Sequence, residues 1–447
     1  MNIVLLSGGS GKRLWPLSND IRSKQFIKIF KKENGNYESM IQRVFRQIRK
    51  VDDNIPITIC TSKTQVSSIT NQLGEEVNIS VEPCRKDTFP AIVLATSYLY
   101  DVQHISEKET IIVCPVDSFV EDDYFEMLKA LGEQVEKREA NLVLLGIEPT
   151  YPSEKYGYII PETNETVSKV LEFKEKPAKE TAEIYIQQGA LWNGGVFAYK
   201  VEYLLEKAHK LLDFTDYQDL ISKYETLEKI SFDYAVVEKE PHIQVMKFSG
   251  LWKDLGTWNT LTESMEDSSV GNVMMNNTCK NVHIFNEINV PVLAMGLRDV
   301  VVAASPEGIL VSDKETSSYI KPFVDKIVQE IMFAEKSWGN YQVLDVEDSS
   351  MTIKITLKSG HAMNYHSHEH RNEVWVVLSG EGKVIIDEVE RDVKPGDIVT
   401  MQAGCRHTII ANTELKVMEM QLGKDINVHD KQKFNLDILD KKYNKDS

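Results

Sequence analysis

The chain opens on a short apolar run that ends in glycines: NIVLLSGGSGKRLWPLSNDIRSKQF, residues 2–26. Asn2–Leu6 reads as a buried strand, and Ser7–Arg13 follows without a break. Gly8, Gly9 and Gly11, with Ser10 and Lys12 between and beside them, permit a backbone path that turns several amides toward one point. Such a nest at the carboxyl end of a strand holds phosphate. Arg13 can add a bidentate, charge-assisted contact. The spacing is neither GxxxxGK[ST] nor GxGxxG, and on the glycines alone a tight strand-to-helix turn is the better reading.

Outward from this loop, β-branched apolar runs alternate with helical stretches. Ile57–Cys60, Thr110–Cys114 and Leu142–Gly146 read as further buried strands. Ala91–Tyr100 and Tyr124–Val135 read as helices, the second carrying Phe125, Leu128, Leu131 and Val135 on one face. This alternation predicts an α/β fold with a mostly parallel sheet covered on both sides, over residues 1–265. Residues 266–336 shift to short β-rich pieces broken by NNTCKN, FNEIN, GLRD and SPEG, and predict a small β module ending in a helix near Tyr319–Phe333. Residues 337–425 are again β-rich, with SGEG, KPGD and AGCR turns, and predict an antiparallel barrel or sandwich. Residues 426–447 read as a charged, peripheral tail.

Composition narrows the class. Of 447 residues, 42% are hydrophobic and 27% charged, which suits folded, soluble domains. Lys and Arg number 51 against 68 Asp and Glu, a net charge of −17. That balance argues against nucleic acid or an acidic membrane as partner. The sequence has no apolar run long enough to span a bilayer and no secretory signal. Five scattered cysteines without a CxxC pair predict free thiols in a reducing compartment, so the cytoplasm is expected.

The continuation of the glycine loop, GGSGKRLWPLSNDIRSKQF, resembles the sugar-phosphate nucleotidylyltransferases, most closely the mannose-1-phosphate guanylyltransferases. Their opening is similar to GG-x-G-T-R-L-W-P-L-S followed by P-K-Q-F; here Lys12 and Ser23 replace the Thr and the Pro. Further similar stretches follow in order: EPCRKDTFPA (82–91), CPVDSF (114–119), KYGYI (155–159), EFKEKP (172–177), LWNGGVF (191–197), SFDYAVVEK (231–239) and LWKDLGTW (251–258).

The resemblance implies a Rossmann-like nucleotidyltransferase sheet and in-line transfer from a nucleoside triphosphate to a sugar-1-phosphate, with pyrophosphate leaving. Asp117 and Asp254 are hard oxygen ligands suited to Mg²⁺, although each alone reads equally as a turn or cap residue. By resemblance Arg13 contacts the β- and γ-phosphates and Lys24 the sugar phosphate. The loop Gly8–Arg13 with Glu82, Asp87 and Thr88 surrounds the nucleotide. Gly157, Glu175, Lys176, Asn193 and Asp233 surround the sugar, with Asp233 open between that role and a helix N-cap. GTP and mannose-1-phosphate are the leading pair. Lys86, Asp87 and Phe89 depart from the family's E-P-x-x-R-N-T-A-P-A, so another base stays open.

In the last third, GHAMNYHSHEHRNEVWVVLSG (360–380) spaces His366, His368 and Glu373 as H-x-H-x4-E, and His407 follows on a later strand. Residues two apart share a strand face, so the first two imidazoles can point into one barrel. Three imidazoles and a carboxylate suit Zn²⁺, Mn²⁺, Fe²⁺ or Ni²⁺. These segments resemble the two cupin motifs. A guanylyltransferase domain followed by a cupin is similar to enzymes that also interconvert mannose-6-phosphate and fructose-6-phosphate. That implies either a second activity or a non-catalytic cupin, and a homodimer is expected.

Overall fold

The computed structural model describes residues 1–9, 11–19, 21–329, 331–424, 426 and 430–436. They form two compact units, Met1–Ser10 with Ser23–Asp267, and Gly11–Arg22 with Ser268–Ser447. The division falls inside the glycine-loop signature. Among the described residues no helix is long and apolar enough to cross a membrane.

The first unit is built on nine strands. They are β1 (Asn2–Ser7), β2 (Ile57–Ser62), β3 (Asn78–Glu82), β4 (Thr110–Pro115), β5 (Leu142–Ile147), β6 (Tyr158–Pro161), β7 (Val167–Lys174), β8 (Leu191–Lys200) and β9 (Ile243–Phe248). The sheet order is β3-β2-β1-β4-β8-β5-β9-β7-β6. The first four strands of that order run parallel. β8 runs antiparallel to both β4 and β5, and β9 is parallel to β5. Strands buried on both faces read as continuous apolar runs, which is why β1, β4 and β5 are legible without alternation. Ile3, Val4, Leu5, Ile111, Ile112 and Val113 are all buried. The helix Asp122–Glu136 turns Phe125, Leu128, Leu131 and Val135 inward, as their spacing predicts. Each such side chain contributes roughly 1.5–3 kcal/mol by leaving water. The helix Thr88–Ser97 is buried along its whole length.

In the second unit, β10 (Ser269–Gly271), β11 (His283–Asn286) and β12 (Val300–Ser305) stack in parallel, and β13 (Gly308–Asp313) returns antiparallel along β12. The predicted helix at Tyr319–Phe333 is replaced by a 3₁₀ turn at Thr316–Tyr319, one helical turn at Lys321–Val324, and a strand at Phe333–Lys336. The reason is local. Ile320, Phe323, Val324, Ile327 and Val328 fall at helical spacing, but Phe323 and Val328 are 69% and 97% exposed, so burial gives this face too little to hold a long helix. Phe333–Lys336 finds its backbone partners on Gly339–Gln342 instead.

The remainder is an antiparallel barrel of a six-stranded and a five-stranded sheet. Along Ser350–Leu357 burial alternates, with Met351, Ile353, Ile355 and Leu357 inside. One correction concerns the tail. Gln432–Lys433 pairs with His366–Ser367, so residues 430–436 belong to the barrel. Phe434 and Leu436 pack on Tyr365, Ile385 and Ile410, and these alternating apolar side chains overcome the charge around them.

Candidate functional site

β1 delivers Ser7–Gly9 to the carboxyl edge of the sheet, where a buried amide network fixes the backbone. Gln25 Nε2 donates to Ser7 Oγ at 3.0 Å. Ser23 Oγ donates to the Gly9 carbonyl at 2.9 Å, and Gln65 Nε2 donates to Ser23 Oγ at 2.6 Å. Thr61 Oγ1 donates to the Gln65 side-chain carbonyl oxygen at 2.9 Å. The two stems of the signature, at Gly9 and Ser23, are therefore pinned together. Lys24 follows directly, at the head of a 3₁₀ turn whose Gln25 and Phe26 are buried. Ser10 lies outside the described residues. Gly11, Lys12 and Arg13 fall in the second unit, where Lys12 pairs with Asp325 at 3.2 Å.

The two aspartates are brought together by a small ribbon. Ser118–Val120 pairs antiparallel with Trp252–Asp254, and the register sets Asp254 opposite Ser118, next to Asp117. Lys24 Nζ stands 2.8 Å from Asp117 Oδ2 and 3.8 Å from Asp254 Oδ1. It also donates to the Leu255 carbonyl at 3.3 Å. Burial alone would raise the Asp117 carboxyl, but the charge and hydrogen bond of Lys24 outweigh it and hold the group below its ordinary value. The side chain still reaches solvent, 41% exposed, and so remains open to a ligand. Two carboxylates sharing one ammonium are a donor set that fits a hard dication.

Residues assigned to the nucleotide by resemblance take different postures. Glu82 is buried, accepts from the Tyr224 hydroxyl at 3.0 Å, and is raised above its ordinary value chiefly by burial. A Cβ on Gly8 would lie 3.8 Å from its Oε1, so the glutamate flanks the loop. Asp87 turns its carboxylate back to the Thr88 amide at 2.8 Å, capping the buried helix, with φ at +72°. Thr88 Oγ1 accepts from the Phe232 amide at 2.8 Å.

The sugar-assigned residues converge on β6–β8. A Cβ on Gly157 would sit 2.5 Å from Glu175 Oε2, 3.0 Å from the Phe173 ring and 3.3 Å from Asn193 Cβ, so a side chain there would displace the Glu175 carboxylate. The Asn193 amide donates to the Gly157 carbonyl at 2.8 Å, and its Nδ2 donates to Asp233 Oδ1 at 2.6 Å. Lys176 pairs with Glu175 at 2.5 Å. Burial, then the Glu175 charge, push the Asp233 carboxyl up to about 7. Asp233 is not the helix cap; Ser231 Oγ accepts from the Tyr234 amide in that role. Sequence reading missed the aromatic wall beside this pocket. Tyr156 packs on Trp192 at 4.9 Å and on Trp252 at 5.4 Å, centroid to centroid. KYGYI, LWNGG and LWKDL each contain one of these rings, which is the only sequence signal for it.

The barrel gathers His366, His368 and His407, with ligand atoms all within 4.8 Å of one another. Each imidazole directs Nδ1 at a carbonyl oxygen: Asn364 for His366 at 2.7 Å, Cys405 for His407 at 3.0 Å, and Asp430 for His368. A ring that donates from Nδ1 presents an unprotonated Nε2. At His368 that nitrogen accepts from Arg371 Nη2 at 3.0 Å. Glu373, 2% exposed, sets Oε1 3.1 Å from His368 Nε2 and Oε2 3.2 Å from His407 Nε2. Glu373 Oε2 and His407 Nε2 make no hydrogen bond. Two buried lone pairs facing each other are what a cation would reconcile. Burial pushes His366 down to about 2 and His368 to about 4, so both are neutral ligands at ordinary pH. His366 and His368 line a cavity of about 330 Å³, together with Arg371, Glu419, Gln421, Lys336, Lys431 and Lys433.

A family model described as nucleotidyl transferase matches residues 2–269, more than half the chain, and one described as cupin domain matches residues 353–422. Similar curated proteins include a mannose-1-phosphate guanylyltransferase of Salmonella montevideo, 27% identical over 97% of this chain and 98% of that one. Another of the same description, from Escherichia coli strain K12, is 28% identical over 91% of each. A crystal structure from Thermus thermophilus, described as a mannose-1-phosphate geranyltransferase, superposes with a TM-score of 0.61 at 26% identity, covering 73% of this chain and 98% of its own. Since the first match runs from the β1 loop through the ribbon that carries Asp254, the chain belongs to the nucleotidyl transferase family, with a cupin domain behind it.

Proposed function

We propose that the first unit transfers a nucleotidyl group from GTP to mannose-1-phosphate, giving GDP-mannose and pyrophosphate. The attacking sugar-phosphate oxygen forms a bond to the α-phosphorus as the bond to the β-phosphate oxygen breaks. Both reactants are polyanions, so the protein's contribution is positioning and charge balance. The observation that carries the reading is the pairing of Asp254 with Ser118, which sets two carboxylates from distant segments around Lys24. Asp117 and Asp254 would hold Mg²⁺, whose contribution is to neutralise phosphate oxygens. Lys24 then faces the sugar phosphate. Glu175, Lys176, Asn193 and Asp233 hold the hexose hydroxyls. Gly8, Gly9, Ser10, Gly11, Lys12 and Arg13 cradle the triphosphate, and Glu82, Asp87 and Thr88 lie toward its base. Free thiols at all five cysteines fit a cytoplasmic setting.

The test is pyrophosphate release from each of four triphosphates against a panel of hexose-1-phosphates. Turnover restricted to GTP and mannose-1-phosphate supports the reading. A different preferred base moves the assignment, and no turnover with any pair ends it.

A second reading gives the cupin interconversion of mannose-6-phosphate and fructose-6-phosphate, favoured by His366 and His368 at a cavity that also presents Arg371 and three lysines. Zn²⁺, Mn²⁺, Fe²⁺ or Ni²⁺ would be held by His366, His368, His407 and Glu373. A coupled isomerase assay on chelated and metal-restored protein separates this from a non-catalytic cupin.

A further inference from the structure

The signature segment Gly11–Arg22 clusters with the second unit, and Trp15, Pro16 and Asn19 meet the turn after β12. Glu307, 7% exposed, lies at their centre. Its Oε1 accepts from Asn19 Nδ2 at 2.9 Å, and from the Met332 and Phe333 amides at 3.1 and 3.0 Å. Its own amide donates to Ser305 Oγ at 3.0 Å, and Ser305 Oγ donates to the Pro16 carbonyl at 2.7 Å. Asn19 uses its Oδ1 to accept the Ile21 and Arg22 amides at 2.9 and 2.6 Å. Arg22 then forms a two-pronged pair with Glu287 at 2.6 and 2.8 Å. Beside them a Cβ on Gly308, whose φ is +147°, would sit 2.6 Å from the Trp15 ring. The β-hairpin turn is shaped to receive this segment.

A buried carboxylate accepting four donors, from Asn19, Gln329, Met332 and Phe333, is a strong local constraint, because a donor left unmet there carries the full cost of desolvation. The stems of the segment are pinned to each other by Ser23 and Gly9, so its conformation is determined at both ends and at its middle. We infer that Glu307, through Asn19, is a positioning residue for the triphosphate loop, and that the β module is a working part of the nucleotidyltransferase rather than a spacer. The inference rests on the transferase reading above. It predicts which substrate feels the module: the triphosphate, held by the loop, and not the sugar phosphate, held by β6–β8.

The experiment uses the full chain and the single variants Asn19→Asp and Glu307→Gln with their double. Asn19→Asp keeps the Oδ1 that caps Ile21 and Arg22 but sets a carboxylate against Glu307. Its KM for the triphosphate is expected to rise at least tenfold, with the KM for sugar-1-phosphate within twofold of wild type. Glu307→Gln keeps a neutral oxygen for the Asn19, Met332 and Phe333 donors but loses the charge, so its triphosphate KM rises by less than in Asn19→Asp, and the double variant is no better than Asn19→Asp. Hydrogen exchange at residues 11–18 is read alongside, and quickens most in the variants that carry Asn19→Asp. If wild type turns over while the variants keep the triphosphate KM, or raise both KM values equally, the positioning role is wrong. If wild type shows no turnover with any pair, the transferase reading falls first and takes this inference with it.

Discussion

Lys24 Nζ and Asp117 Oδ2 stand 2.8 Å apart at the carboxyl edge of the first sheet. The ammonium offsets the burial that would otherwise raise the Asp117 carboxyl. It also keeps Asp117 ionised, the state a dication requires. Asp117→Asn keeps the volume and removes the charge. Turnover measured by pyrophosphate release is expected to fall by on the order of 10²–10³-fold, as for loss of a charge-stabilising group at a reaction centre. Wild-type turnover in this variant would remove Asp117 from the metal role.

Gly157 gives a sharper test of the sugar pocket. A methyl group there meets Glu175 Oε2, Phe173 and Asn193 at once. Glu175 must move, since its Oε2 would lie 2.5 Å from the added carbon, and the move disturbs its pair with Lys176. Gly157→Ala is expected to raise the KM for sugar-1-phosphate about tenfold or more and leave the triphosphate KM unchanged. Equal effects on both would place Gly157 outside the sugar pocket.

Part of this arrangement was legible in the amino-acid order and part was not, for physical reasons. Continuous apolar runs such as Thr110–Pro115 announce strands buried on both faces, so the α/β unit could be read directly. The H-x-H-x4-E spacing announces a shared strand face. By contrast Gln65 and Gln25 meet only because β1 and β2 are neighbours, and a glutamine carries no periodic signal. Glu307 looks like a surface acid in SPEG, and its burial depends on donors from two distant segments, one with Asn19 and one with Gln329, Met332 and Phe333. Tyr319–Phe333 reads as a helix from composition, but no partner surface covers it. Phe434 and Leu436 are two apolar residues in a charged tail, too few to register as a strand without the barrel edge they complete.

Asp233 sets a pH dependence. Its carboxyl lies at about 7 in the fold against an ordinary 3.8. Between those values the folded chain binds a proton that the unfolded chain has released. Stability from this group is therefore full below about pH 4 and is lost as pH rises toward and through 7. The slope is at most about 1.4 kcal/mol per pH unit. Urea unfolding of wild type and Asp233→Asn at pH 5, 6, 7 and 8 reads it: the difference between the two narrows as pH falls, because Asn mimics the protonated acid. A constant difference across the series would assign Asp233 an ordinary value.

The cupin triad depends on residues beyond the last long strand. The Asp430 carbonyl accepts His368 Nδ1, and its carboxylate oxygens accept the Glu369 and His370 amides at 2.8 and 3.1 Å. Without this segment His368 loses the partner that fixes its tautomer and keeps Nε2 unprotonated. Partners of this kind tune metal affinity by about 10–100-fold. A chain ending at Lys424 is expected to bind Zn²⁺ at least tenfold more weakly than the full chain in competition with a chromophoric chelator. Glu373→Gln should weaken it comparably, because the amide offers one neutral oxygen where the carboxylate offers two charged ones. The melting profile of the barrel, followed separately, distinguishes lost ligation from lost folding: weaker zinc with an unchanged profile supports the positioning role of Asp430, and zinc affinity unchanged by truncation refutes it.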